Sequence, residues 1–211
     1  MAEQSIAPSV VAEIANMVSS TLNNINSDCN SFQSDVLAKI AESWYNDNAT
    51  KVMPGHVTAL TNLSKGVNES LVSLGKALKS AADSCVDANG ASPYSITTMT
   101  ESPVQFTCNV VNNKGGHEGM DTSVIQTAVN KAGTLQAQMV GRLNQLIQAS
   151  NKEGFKGGSQ QADLQQVCST LKSAINTAMD NVINDITTNT NTAKSNVETA
   201  TAVTESTFTV N

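Results

Sequence analysis

The sequence predicts an all-α protein, an antiparallel four-helix bundle of two long helical hairpins. Three observations predict it. Apolar residues recur in steps of three and four over four separate stretches, the spacing that keeps one stripe on one helix face. Aromatic residues make up only 3% of the 211 residues, so the core is aliphatic, which suits helix-on-helix packing better than a sheet sandwich. Two short bends, Ser43-Trp44-Tyr45-Asn46-Asp47-Asn48 and Gly154-Phe155-Lys156-Gly157-Gly158, each sit between two such stretches. Trp44 and Phe155 are 111 positions apart (155 − 44), so one hairpin design is used twice.

The first helix begins near Pro8-Ser9, because Pro is well tolerated in a first turn. Its stripe runs through Val11, Ile14, Val18, Leu22, Ile25, Cys29, Phe32, Val36, Ile40 and Trp44. Between these lie Asn23, Asn24, Asn26, Ser27, Asp28 and Asn30, poor helix formers that depend on burial of the stripe to stay helical. The second helix follows the bend, with Pro54 and Gly55 in or near its first turn, and carries Val57, Leu60, Leu63, Val67, Leu71, Leu74, Leu78 and Ala82. A short bend between the two makes an antiparallel pair. Helices of ~30–36 residues are ~45–54 Å long.

The segment from about Val86 to Gly119 breaks the pattern. Asn89-Gly90, Ser92-Pro93, Ser102-Pro103 and Gly115-Gly116 are turn signals. Between them 94–99 and 104–110 alternate like strands, predicting either a small β-hairpin or an extended crossover without a sheet. The third helix has a capping-box start, Ser123-x-x-Gln126, and the stripe Ile125, Ala128, Ala132, Leu135, Met139, Leu143, Leu146 and Ser150. Ser159 is the expected cap of the fourth, whose stripe is Leu164, Val167, Cys168, Leu171, Ile175, Met179, Val182 and Ile186, fading through Ala193 and Val197. The Thr- and Val-rich end reads as a frayed or extended tail. The units are thus 1–88 and 121–198 for the hairpins, 89–120 for the crossover and 199–211 for the tail.

The net charge is −6, with a sequence pI near 4.8. This argues against nucleic acid, whose binding needs clustered Lys and Arg, and against docking on anionic lipid. No apolar run approaches the ~20 residues that span a bilayer, and the N-terminus lacks the basic start and apolar core of a signal peptide. Cys29 and Cys168 occupy stripe positions as small buried hydrophobes, while Cys85 and Cys108 flank the crossover and could be bonded in an oxidising setting. His56 and His117 have no partner at metal-ligand spacing. No nucleophile elbow, phosphate loop or dinucleotide fingerprint is present. The expectation is no enzyme, no cofactor and no metal, and a protein that works by contact with other proteins.

A roughly hundred-residue helical hairpin with a Trp-x-Gly bend resembles the WXG superfamily, the ESAT-like proteins exported by type VII secretion systems of Gram-positive bacteria and mycobacteria. The resemblance covers most of the chain, as two consecutive halves. Trp44-Tyr45-Asn46 keeps the Trp and has Asn in place of Gly, a residue that tolerates a left-handed backbone. Phe155-Lys156-Gly157 keeps the Gly and replaces Trp with another aromatic. The resemblance implies an antiparallel pair of hairpins, fused here into a pseudo-dimeric monomer. It also implies export without an N-terminal signal peptide, and a recognition surface at the bends, which makes Trp44, Asn46, Phe155 and Gly157 the site candidates. Family members or their partners carry a Tyr-x-x-x-Asp/Glu export signal. Here Tyr45 is followed four residues later by Ala49, and Tyr94 by Thr98, so a partner or another feature supplies that signal. Two other expectations compete. One is a membrane-active protein that inserts a β-tongue from 94–111; the other is a structural coiled-coil protein.

Overall fold

The computed structural model describes residues 7–89 and 94–207, with side chains over 7–84 and 94–199. Four helical rods form the bundle. The first is continuous through α1 (Pro8–Phe32), a π-helical turn (Gln33–Leu37) and α2 (Ala38–Ser43), with right-handed helical angles at both joints. Pro8 takes the first helical position. Every predicted stripe residue from Val11 to Trp44 is buried. The π turn widens the buried face, so that Val36 and Leu37 both point inward.

A two-residue strand, β1 (Trp44–Tyr45), leads into α3 (Asp47–Asn89). This helix starts earlier than its Pro54-Gly55 signal suggests, which leaves Pro54 in the helix interior. Asn46 supplies the reason. Its Oδ1 accepts from the Ala49 N–H at 2.8 Å, satisfying one of the donors a helix start leaves open.

The crossover takes the second of its two expected forms, an extended segment without a sheet. Residues 94–110 form no strand; they run extended as a strap across α1 and α3. Their alternating pattern is real, but its polar partners are side chains of the helices and not a second strand. Thr97 N donates to Asn16 Oδ1, Ser102 N to Asn68 Oδ1, Val104 N to Ser64 Oγ, Phe106 N to Thr61 Oγ1 and Thr107 N to Gln33 Oε1, at 2.8–3.2 Å. Met99 and Phe106 turn inward and are buried, with the Phe106 ring edge-on to Phe32. The tight turn lies later, at Lys114–His117, where Gly115 and Gly116 both take positive φ, as a two-residue turn of that hand requires.

The chain then forms β2 (Gly119–Met120), α4 (Thr122–Ala149) and α5 (Ser159–Thr207). The cap of α4 is Asp121, which accepts from Ser123 N and Val124 N, and not the predicted Ser123. Ser159 is the first residue of α5; the Gly158 carbonyl accepts from Gln161 and Ala162 there. Of the two readings of the tail, frayed or extended, the extended one is corrected as far as Thr207, where α5 ends; residues 208–211 lie outside the described residues. Thr190, Thr192 and Thr199 hydroxyls donate to carbonyls one turn back. A helix already nucleated by its packed segment propagates through poor formers more readily than it starts in them.

Each rod neighbours two others: α1 lies against α3 and α4, and α5 against α3 and α4. The predicted stripes of α4 are buried throughout, and those of α5 as far as Ile186, with Val167 partly covered. Asn48 bonds Asn189, and His56 Nε2 lies 3.1 Å from Asp185 Oδ2, so α5 passes the start of α3 near Thr190. Its residues 191–207 therefore run on beyond that end of the bundle. No helix is long and apolar enough to cross a membrane among the described residues.

Candidate functional site

The two bends occupy opposite ends of the bundle. At the first, Trp44 is fully buried. Its strand pairs antiparallel with β2, Trp44 against Met120 and Tyr45 against Gly119. A Cβ on Gly119 would lie 2.9 Å from the Tyr45 ring, so only glycine lets that ring lie flat there. The Asp121 N–H donates to the Ser43 carbonyl at 2.8 Å. The first bend thus receives the start of the second hairpin.

At the second bend Phe155 is 2% exposed. Gly154 (φ 87) and Gly157 (φ 88) both hold left-handed backbone, the conformation that favours glycine. The Gly157 N–H donates to Gln161 Oε1 at 2.6 Å, and Gln161 Nε2 reaches back to Asn151 Oδ1 at 3.0 Å. The Ala7 N–H donates to the Gly154 carbonyl at 2.8 Å, and a Cβ on Gly154 would come within 2.8 Å of Ala7 Cβ. The second bend receives the start of the first hairpin.

Each bend therefore presents a carbonyl, at Ser43 or Gly154, to the N-cap N–H of the other hairpin's first helix, and each follows that carbonyl with a buried aromatic ring. The structure does not bring Trp44 and Asn46 together with Phe155 and Gly157. A rod of residues 8–43 separates them, ~54 Å at 1.5 Å per residue. Trp44 and Phe155 are plugs beneath the surface, whereas Asn46 is half-buried and Gly157 exposed. Asn46 is also not left-handed, because no described non-glycine residue has positive φ; it serves as a cap instead. The Trp44 indole N–H is buried without a hydrogen-bond partner in the protein.

Sequence reasoning missed three features. The first is the amide clamp on the strap: Gln33 holds both sides of the Thr107 backbone, donating to its carbonyl at 2.9 Å and accepting its N–H at 2.8 Å, while Asn68 and Asn26 bond each other. The Asn residues between the apolar positions were its only signal. The second is a bidentate pair between Arg142 and Asp28 across the hairpin interface. Its hydrogen bonds hold the guanidinium above its ordinary pKa, against partial burial. The third is Gly154, which makes the docking contact one residue ahead of the aromatic.

Cys29, Cys108 and Cys168 are free thiols, each pushed up to about 12 chiefly by burial, with the Asp28 charge adding at Cys29. Thiols held protonated are poor nucleophiles and poor metal ligands. Cys108 Sγ donates to the Leu37 carbonyl at 3.4 Å; the Cys85 side chain, its suggested bonding partner, lies outside the described residues. Among the described residues no group of three or more His, Cys, Asp or Glu side chains gathers. Comparison with protein-family models, curated proteins and solved structures gives no match.

Proposed function

We propose that the chain is a helical-bundle protein of the WXG, ESAT-like type, working by protein–protein contact as an effector or export partner in a type VII secretion system of a Gram-positive bacterium. The observation that carries this reading is the reciprocal docking of the bends, Asp121 N on Ser43 O and Ala7 N on Gly154 O. It is the antiparallel pairing of hairpins that the resemblance implies, made here within one chain. The exposed faces are rich in Asn, Gln, Ser and Thr, which suits a weakly charged surface for binding proteins. The protein acts without catalysis, by export and binding, and is a pseudo-dimeric monomer.

The β-tongue reading is the less favoured one, because residues 97–107 of its segment are hydrogen-bonded to side chains of the first rod and α3. The test is a blot of culture supernatant from the native host with and without its type VII secretion ATPase. Loss of the extracellular protein in the mutant is expected. Unchanged extracellular protein removes the secretion assignment, and protein found only inside the cell replaces it with a structural or chaperone role. Light scattering is expected to give the 22.1 kDa of one chain, and an obligate dimer would overturn the pseudo-dimeric monomer.

A further inference from the structure

The two hairpins are related in fold and opposed in charge where they meet. Counted from their N-caps, Ala7 and Asp121, residues Asp28 and Arg142 both stand 21 positions along (28 − 7 and 142 − 121). These equivalent positions touch. Arg142 Nε donates to Asp28 Oδ2 at 2.7 Å and Nη2 to Oδ1 at 3.1 Å, over a carboxylate side chain that is only 8% exposed. A position in contact with its own equivalent lies at the axis relating the two halves. In a symmetric pair of identical hairpins that position meets its own copy. Hairpin 1 on a second hairpin 1 would set Asp28 against Asp28, and hairpin 2 on hairpin 2 would set Arg142 against Arg142.

Two further ion pairs cross the same seam with the same polarity. Glu13 pairs with Lys152, and Asp35 with Lys131 at 3.5 Å. In all three the acid stands on the first rod and the base on α4 or the bend after it. Pairing of like hairpins would oppose acid to acid or base to base at the axis position alone; the equivalents of the flanking groups, Met17, Ala38, Thr127 and Ala149, carry no charge, so those two pairs would simply be lost. A like-charge contact at a largely buried position is strongly disfavoured, which is how interfaces reject wrong partners.

We propose that this seam is a pairing code: Glu13–Lys152 and Asp35–Lys131 help seat a first hairpin on a second hairpin, and Asp28 and Arg142 at the axis reject another copy of the same one. The partner this surface fits is the opposite hairpin, of its own chain or of another copy. Within one chain the tether favours the internal partner. Any exchange between chains has to be reciprocal, first on second and second on first. This inference does not depend on the secretion route, and an unexported protein would pair its hairpins in the same way.

The test uses the full chain with D28R, R142D and the double reversal D28R/R142D. Each single reversal is expected to move the urea midpoint well down, and the double reversal to recover more than half of that shift. Refolding D28R and R142D together is expected to give a dimer holding one of each chain, seen by native mass spectrometry. Exchange seats the first hairpin of the D28R chain on the second hairpin of the R142D chain, a base on an acid with the polarity reversed. The other half of that dimer then holds the native pair, Asp28 on Arg142. Residues 111–118, which join the halves, are exposed and serve as the hinge. A double reversal no more stable than the single reversals would overturn the code. So would a mixture that yields only what each chain yields alone.

Discussion

Hairpin 1 and hairpin 2 follow one plan, yet only the first is strapped. In α5 the buried residues form a single row, Leu164, Cys168, Leu171, Ile175, Met179, Val182, Ile186 and Thr190. In α3 a second row, Ser64, Asn68, Val72 and Gly75, is buried beside the stripe of Leu60, Val67, Leu71 and Leu78. The strap makes the difference. It lies on that second row, donating hydrogen bonds to Ser64 and Asn68 and setting the Met99 side chain against the bare Cα of Gly75. Hairpin 2 leaves an open groove of about 770 Å³ lined by residues such as Asn130, Gly133, Ala137 and Ile183. Asn130 stands nine positions from its cap, as Asn16 does (130 − 121 and 16 − 7). Asn16 clamps Ser95 and Thr97, whereas among the described residues Asn130 bonds within its own helix, to Gln126 and Thr134. The contrast teaches that a hairpin of this plan closes with or without a strap, and that small and amide residues on one flank make the seat for it.

The largest effects should come from what the hairpins share. Trp44→Ala empties a fully buried site and is expected to cost about 3–5 kcal/mol by chemical denaturation, with Phe155→Ala at the other end close behind. Trp44→Phe should cost far less, because it also removes a buried unpaired donor. Equal losses for the Ala and Phe variants would show that the indole N–H is satisfied in solution.

Next come changes confined to the strapped side. Asn68→Leu leaves the Ser102 N–H and the Asn26 amide unpaired, at about 1–3 kcal/mol. Hydrogen exchange should then speed up over 97–107 while α4 and α5 keep their protection. Loss of protection in both hairpins would mean that the strap supports the whole bundle. Asn16→Ala should be measurably destabilising and Asn130→Ala within about 0.5 kcal/mol of neutral. Equal effects would erase this distinction between the two hairpins.

Smaller effects follow pH. The folded-state pKa of Cys29, Cys108 and Cys168 is raised from 9.0 to about 12. Their contribution to stability is thus complete below pH 9 and declines as pH climbs toward 12, since the unfolded thiols ionise first. At pH 8 these thiols should resist alkylation until the protein is unfolded, two in hairpin 1 and its strap and one in hairpin 2. Rapid labelling of Cys108 alone would show that the strap opens. The smallest effect is at Asp121, whose pKa is lowered by the Ser123 hydroxyl and then the Val124 N–H. A lowered carboxylate contributes above its unfolded pKa and loses that contribution as pH falls through its folded one. Asp121→Ala should lower Tm slightly at neutral pH, with no difference left in strong acid.

The sequence by itself determined the four rods, their order and the main stripe of each, because period and burial are local and redundant signals; Leu37, Met53, Val72 and Val129 are core residues outside those stripes. Each stripe repeats its message every turn, so Ser123, Ser159 or Pro54 could mislead about a helix end without disturbing the rod. It also located both bends, since an aromatic amid turn formers between two stripes has few other readings. Tertiary structure alone decided the rest. Whether 94–110 pairs with itself or with Asn16, Gln33, Ser64 and Asn68 depends on side chains that are dozens of positions away. Alternation in a strand records only that one side is buried and leaves its hydrogen-bond partner unstated. The meeting of Asp28 with Arg142, and of each bend with the N-cap of the other hairpin, arises only when two rods lie antiparallel across an axis. No local pattern marks an axis, and so the charge placed on it became legible only in the folded chain.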